Sequence, residues 1–342
     1  MAKDRILVTG AAGFAGSHIV SHLMANTDWE IIGLDRLSYA GSLERLAEFQ
    51  GNPRLKMVFH DFRAVYPSSV LRALDGVRYV IHNGAETHVE RSIQDPEPFI
   101  MSNVLGTMNT LQAGKELKVE HFIYVSTDEV HGPAPLGVDF TEESPIRPSN
   151  PYSASKAGGE ALAYAWWKCY RLPVTSTRTM NLIGERQHPE KFLPMCTRKV
   201  LRGEKVVIHG KRDGAGNWII GARKWIHARN QADALLFLLK LQQKEGISRT
   251  AQGSTHGETY HVAGEERSNL EIAQLIAKTL GKKLDYELVD VHVDRPGHDL
   301  RYSLSDARIK TMGWKQPIPF EDSLRRTIEW SVRPENQRWL EE

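Results

Sequence analysis

The chain has 342 residues, a formal net charge of +2 and 41% hydrophobic residues, enough to bury a sizeable core and, at about 150 residues per domain, to form two domains. So balanced a charge lacks the basic footprint of a nucleic-acid binder, and the longest apolar run, Ala234–Leu239, is far short of the roughly 20 residues a membrane helix needs. Two cysteines, Cys169 and Cys196, speak against a disulfide framework and for a reducing, cytoplasmic setting; the N-terminus runs directly into a strand-like segment, with no secretory signal.

Short β-branched runs predict strands at Arg5–Val8, Glu30–Leu34, Leu55–His60, Tyr79–Asn83, His121–Ser126 and Val174–Arg178. Between them, amphipathic stretches predict helices near Phe14–Ala25, Ser42–Phe49, Ser68–Leu74, Pro96–Glu116 and Pro151–Tyr170. Strands this continuously apolar are covered on both faces, so the expected fold is α/β: a doubly wound parallel sheet of Rossmann type, with its ligand beyond the carboxyl ends of the strands.

After Leu182 the segments shorten, at Glu190–Pro194, Val206–His209, Thr259–Val262 and Asp285–Val289, with helices near Asn230–Gln243, Leu270–Leu280 and Ser305–Met312. The helix at Asn230–Gln243 is placed to return to the main sheet. Residues 1–183 plus about 225–250 are therefore expected to form a cofactor domain. Residues 184–224 and 251–342 are expected to form a smaller C-terminal α/β substrate domain closing over it. Gly210–Gly221 holds four glycines in twelve residues and reads as a mobile loop.

Gly10, Gly13 and Gly16 follow the first strand and open the first helix at Phe14 and Ala15. Glycines at this spacing make a tight turn and let a pyrophosphate reach bare backbone at a helix N-terminus. Asp35 ends the next strand nineteen residues after Gly16, where an acid accepts the adenine ribose hydroxyls and repels a 2′-phosphate. NAD rather than NADP is the expected cofactor, although the adjacent Arg36 is of the type that cradles such a phosphate. Asp61 and Phe62 would border the adenine, and Gly84 and Ala85 would run along the cofactor. His18 and His22 lie four apart on one helix without an evident third ligand, so they read as packed histidines rather than a metal site.

Tyr152 and Lys156 stand at i and i+4 on one predicted helix, where phenol and ammonium can meet. A nearby cation lowers a tyrosine pKa, which makes Tyr152 a candidate base for an alcohol while hydride leaves to NAD. Ser126 and Thr127 end the fifth strand, where this fold places its ligand.

Together these residues resemble the extended short-chain dehydrogenase/reductase family, and within it the nucleotide-sugar 4,6-dehydratases. Ser126–Val130 (STDEV), Ala85–Ile93 (AETHVERSI), Pro189–Lys191 and Arg295–Asp299 (RPGHD) carry that resemblance, which spans Arg5 to about Trp330. It implies transient oxidation at C4 of a nucleotide-diphosphate hexose, loss of water across C5–C6, and return of hydride to C6, with NAD recycled. Elimination needs one carboxyl as acid and another as base, and two adjoining carboxyls with separated pKa values divide those roles. By resemblance Asp128 is the acid and Glu129 the base, with Thr127 beside them. A capping role for this pair is the structural alternative. The resemblance also implies Asn181 near the nicotinamide and substrate contacts from Thr87, Thr127, Asn181, Glu190, Lys191, Arg223, Arg295, His298 and Tyr302. A homodimer joined through helices such as Pro151–Tyr170 is implied as well, although Tyr164, Trp166 and Trp167 also fit plain packing. The chain departs from the family pattern at Leu182 (Asn expected), His131 (Tyr), Lys224 (Asp) and Glu266 (Asn). A 4-epimerase or decarboxylase of the same family, or a sugar-nucleotide-binding protein without chemistry, would share the frame; the Asp128–Glu129 pair favours elimination.

Overall fold

In the computed structural model, residues 3–245, 256–291 and 299–341 are described. Strands β1 (Arg5–Thr9), β2 (Glu30–Asp35), β3 (Leu55–Phe59), β4 (Tyr79–His82), β5 (His121–Thr127) and β6 (Val174–Thr179) begin where the sequence predicts and end within one residue of it. With β11 (Thr259–Val262) they form a seven-stranded sheet in the order β11-β6-β5-β4-β1-β2-β3. Every pairing is parallel. Strand order reverses between β1 and β4, and the crevice at their carboxyl ends is where such a sheet binds ligand.

Alternation along the strands builds two cores. Ile6 and Val8 pack with Ile19 of helix α1 (Phe14–Asn26) and with Leu235, Leu238 and Leu239 of the helix Ala228–Glu245, which returns to the main sheet as expected. Leu7, Ile32 and Leu34 face Leu111, Phe122 and Ala163 on the other side. Strands β1, β2, β4 and β5 are thus wrapped on both faces, which accounts for their largely apolar sequence, while Lys56 and Phe59 of edge strand β3 are exposed. Helix α2 (Ser68–Ala73), α3 (Val89–Gln94) and α4 (Glu97–Ile100) lead into α5 (Gly106–Glu116), and α6 spans Pro151–Tyr170 as predicted. A third core forms around α7 (Phe192–Arg202) and the helix Asn269–Leu280, where Leu193, Val200, Trp225, Ile272, Ile276 and Phe320 are buried together. Two small sheets lie there. One is β12-β10-β14 (Glu265–Ser268, Ala222–His227, Arg301–Tyr302), with β7 (Asn181–Ile183) also on β10; the other is β13-β8-β9 (Tyr286–Asp290, Val206–Arg212, Trp218–Ile220).

Four expectations change. Thr259–Val262 belongs to the large sheet: it pairs with β6 while Tyr260 and Val262 join the first core, so 251–342 is not all one smaller unit. Gly210–Gly221 is a hairpin rather than a loop. Gly210, Lys211 and Arg212 pair with Ile220, Ile219 and Trp218, and the Asp213 carboxylate accepts the Ala215 and Asn217 amides across the turn. The helix expected at Ser42–Phe49 is a 3-10 helix over Leu43–Phe49. The long helix expected at Pro96–Glu116 widens into a π turn over Met101–Leu105. That turn buries Asn103, whose side chain accepts the Glu86 amide and donates to the Glu86 carbonyl and the Ser155 hydroxyl.

Candidate active site

Gly10 adopts φ +67°, and a Cβ placed there would lie 2.7 Å from Gly84 Cα. A Cβ on Gly16 would lie 1.9 Å from the Gly10 carbonyl oxygen. The chain can turn this tightly between β1 and α1 only with bare glycine. Gly13 precedes α1 with no side-chain cap, so the helix N-terminus is open toward the crevice through Phe14 and Ala15. Asp35 is buried at the end of β2, accepting the Ala12 amide at 2.9 Å and the Leu37 amide at 2.8 Å. Arg36 is held by Glu86 at 2.6 Å and lies 3.5 Å from Asp61, itself bound by Arg63 at 2.6 Å. A guanidinium so engaged is not waiting for a 2′-phosphate, so the acid decides the preference. Phe62 is buried against Gly84 and Gly106, where added Cβ atoms would come within 2.6 and 2.4 Å of its ring; Ala85 follows on the same rim. These residues fit a dinucleotide.

Facing this cradle, the β5 terminus carries Ser126 and Thr127 into a 3-10 turn over Asp128–His131. Thr127, not the carboxylates, caps that turn, accepting the Glu129 amide, so the capping alternative for Asp128 and Glu129 falls. Asp128 is buried; one carboxylate oxygen accepts the Thr127 hydroxyl at 3.0 Å. Its other oxygen, with the Ser126 and Thr179 hydroxyls, is buried without a hydrogen-bond partner among the described residues, the condition of a site built for a polar ligand. Burial, then the Glu129 charge, pushes Asp128 up to about 7. Glu129 is also raised by burial, but the Asn150 amide at 3.2 Å and the Arg223 charge hold it back. The pair is thus differentiated, with the proton on Asp128.

Asn150 was not singled out in the sequence, yet it also caps α6, with Pro151 next and Ser153 completing a reciprocal capping box. The Asn-Pro-x-Ser order is the signal that marks it. From that start α6 carries Tyr152 and Lys156, both buried, one turn apart. One expectation fails here. Lys156 does not soften the phenol: its ammonium donates to the Val125 carbonyl at 2.6 Å and sits 4.5 Å from the Tyr124 ring centre. Burial lowers Lys156 to about 7. Burial and the Glu129 and Asp128 charges raise Tyr152 well above the usual phenol range, with a Thr127 hydrogen bond opposing them.

The expected substrate residues divide. Asn181 opens β7, half-buried and paired with Trp225. Arg223 stacks on Tyr302 at 4.6 Å and donates to the carbonyls of Ala222, Asp299 and Leu300; its charge reaches Asp128 and Glu129. The Tyr302 hydroxyl donates to Asp299 at 2.6 Å. Lys191 is lowered by burial against the pull of Glu190 and Glu129, so its charge reaches Glu129. Glu190 is taken by Arg91 at 3.1 Å with His88 and His188 nearby, and Thr87 is exposed on the rim. Arg295 and His298 lie outside the described residues. Among the departures, Lys224 is spent on Asp139 and the Leu304 carbonyl, and Glu266 on Arg301 at 2.9 Å, so neither is a free charge in the cleft.

His18 and His22 part company. His22 faces Asp233, while His18 meets Glu185 and His227, their ligand atoms all within 4.8 Å of one another. His227 Nδ1 accepts the Arg229 amide, which leaves the proton on Nε2, donated to Glu185 at 3.0 Å. The three side chains are joined by hydrogen bonds in this structure.

A glycine-lined dinucleotide cradle, a Tyr–Lys helix and a split pair of buried carboxyls define an oxidoreductase-type site with acid–base chemistry added. The chain belongs to the NAD-dependent epimerase/dehydratase family, whose model matches residues 6–251. It is 36% identical over 326 residues to the low-salt glycan biosynthesis protein Agl12 of Haloferax volcanii, covering 95% of this chain and 97% of that one. It is 35% identical to a dTDP-glucose 4,6-dehydratase of Streptomyces niveus, covering 98% and 95%. The crystal structure of DesIV, a dTDP-glucose 4,6-dehydratase from Streptomyces venezuelae with NAD and TYD bound, superposes with a TM-score of 0.85 at 37% identity, covering 98% and 99%.

Proposed function

We propose that this protein is an NAD-dependent 4,6-dehydratase of a nucleotide-diphosphate hexose, with dTDP-glucose the leading substrate. The observation that carries this is the Asp128–Glu129 pair: two adjoining buried carboxyls, one raised to about 7 and the other restrained by Asn150 and Arg223. A 4-epimerase has no use for a second acid–base pair. The names and full-length similarity of the relatives support the same reading.

NAD, when bound, supplies a positively charged ring that takes hydride from C4 and returns it to C6. Gly10, Gly13, Phe14, Ala15 and Gly16 would hold its pyrophosphate, Asp35 its ribose, Asp61 and Phe62 the adenine end, and Gly84, Ala85 and Asn181 its length. Tyr152, lowered by the positive ring of bound NAD, ionises, and its phenolate takes the proton of the C4 hydroxyl, with the Thr127 hydroxyl orienting that oxygen. Lys156 holds the helix face to β5 through the Val125 carbonyl. Once C4 is a ketone, the C5 proton is acidified; Glu129 removes it while Asp128, protonated near neutral pH, gives its proton to the departing C6 hydroxyl. Arg223, Lys191 and Tyr302 bind the diphosphate side, where planar and cationic donors suit phosphate oxygens, with Thr87 and Glu190 at the rim.

A division into a cofactor unit and a substrate unit is supported by the separate third core, which takes in Ile183 and Trp225, whereas Thr259–Val262 goes with the large sheet. Pairing of two copies through α5 and α6 is supported by Tyr164 and Tyr170, about half exposed, whereas Trp166 and Trp167 pack against their own core. Both cysteines are free, as a reducing cytoplasm requires, and no helix of the described residues is long and apolar enough to cross a membrane.

The test is turnover of purified protein against dTDP-, UDP-, CDP- and GDP-hexoses, followed by the alkaline chromophore of a keto-sugar. The chromophore with dTDP-glucose is expected; binding without turnover on every one of them would leave a sugar-nucleotide-binding protein.

A further inference from the structure

Beside the turn that carries the carboxylate pair, a buried ionic network centred on Arg178 of β6 joins the two catalytic elements. Arg178 and Glu160 are 4% and 6% exposed and form a two-point pair, with Nη2–Oε2 at 2.9 Å and Nε–Oε1 at 3.1 Å. Glu160 lies on α6 one turn beyond Lys156 and two beyond Tyr152. The remaining Arg178 nitrogen donates to His131 Nε2 at 3.0 Å and reaches His261 Nε2 and the Glu142 carbonyl, each at 3.3 Å. His131 closes the turn that begins with Asp128 and Glu129.

The tautomers follow from the partners. His131 Nδ1 donates to the Pro145 carbonyl at 2.9 Å, so its Nε2 is the acceptor that Arg178 needs. His261 repeats this, with Nδ1 donating to the Ser305 carbonyl at 3.1 Å. Burial, together with the guanidinium facing both rings, lowers both histidines and favours their neutral forms. His131 also stacks on Phe140, ring centres 5.1 Å apart. This is the position where the family resemblance calls for tyrosine; here an imidazole presents Nε2 to the guanidinium at 3.0 Å.

We propose that Arg178, acting through His131 and Glu160, is a positioning residue that sets the Asp128–Glu129 turn against the Tyr152–Lys156 helix, so that oxidation at C4 and elimination across C5–C6 occur on one bound sugar. Arg178 stands on β6 opposite Ser126, next to Thr179 opposite Thr127, so its backbone is in register with the site. A buried charge pair contributes little net stability but fixes geometry strongly when fully hydrogen-bonded. The inference rests on the dehydratase reading.

Three variants test it in the full-length protein with NAD and dTDP-glucose. His131→Phe keeps the ring on Phe140 but removes the acceptor; His131→Gln returns an acceptor oxygen near the Nε2 position. E160Q/R178M removes both charges together, so that neither is left buried alone. His131→Phe and the double variant are expected to lose at least tenfold in kcat with KM within twofold, and His131→Gln to stay within threefold of the parent. Side-chain 15N spectra of the protein without ligands are expected to show His131 as the Nδ1–H tautomer, altered in the double variant. Parent-like kcat in His131→Phe, equal losses in His131→Phe and His131→Gln, a change in KM alone, or an Nε2–H tautomer would each overturn the proposal. A parent protein that dehydrates no sugar nucleotide would instead overturn the functional reading, while the 15N result still reports on the network.

Discussion

Replacing Asp128 with asparagine separates the energetic burden of this residue from its chemistry. The carboxyl is buried and held at about 7 against an ordinary value of 3.8. Below the ordinary value the folded and unfolded chains are both protonated there, and the group costs nothing. As pH rises the unfolded chain releases the proton first, so stability falls continuously until the folded carboxyl also ionises near 7. The gap between those two values corresponds to about 4 kcal/mol. An asparagine side chain carries no charge at any pH, but its amide nitrogen takes the place of the oxygen that has no partner, at a cost of about 1 kcal/mol. Asp128→Asn should therefore be more stable than the parent by about 3 kcal/mol at pH 8, by about 1 kcal/mol at pH 5.5, and no more stable at pH 4. Urea unfolding at the three pH values measures this directly. A difference that does not change with pH would mean that Asp128 titrates as a solvated carboxyl, and the assignment of the acid would fall with it.

Glu129→Gln should stop water loss while C4 oxidation continues slowly, so reduced nicotinamide absorbance should build up with substrate; normal dehydration would refute the base assignment. Tyr152→Phe should give no such absorbance, and its appearance at the parent rate would remove Tyr152 from the oxidation. The pH profile of kcat should be bell-shaped: activity rises as Glu129, held above the usual carboxylate range, loses its proton, and falls as Asp128 ionises near 7. A profile flat from pH 5 to 9 would contradict the division of roles. Gly16→Ala should abolish NAD binding in calorimetry, because its Cβ meets the Gly10 carbonyl at 1.9 Å; unchanged affinity would show that the turn is not the cradle.

The parallel sheet was legible because β1, β2, β4 and β5 are wrapped on both faces and largely apolar, while β6 (VTSTRT) reads through its β-branched residues. The Gly10–Gly16 turn and Asp35 were legible for a related reason, since only glycine tolerates the approach to Gly84. The misreadings involve partners distant in sequence. Thr259–Val262 becomes part of the large sheet only because β6 offers it an edge, and composition does not show that. The glycines of 210–221 suggested a loop, whereas the Asp213 turn and the pairing of Trp218–Ile220 make a hairpin. Lys156 donates to the Val125 carbonyl, 31 residues away in the chain, and the Arg178 network needs His131, Glu160 and His261 brought to it from separate segments.

The most direct measurement is made with dTDP-glucose carrying deuterium at C4, turned over in ordinary water and, in parallel, with unlabelled sugar in D2O. The account requires the C4 label to arrive at C6 of a 4-keto-6-deoxy product, and one solvent deuterium to enter at C5. Label restored to C4 with oxygen still on C6 would identify an epimerase and contradict the role given to Asp128 and Glu129.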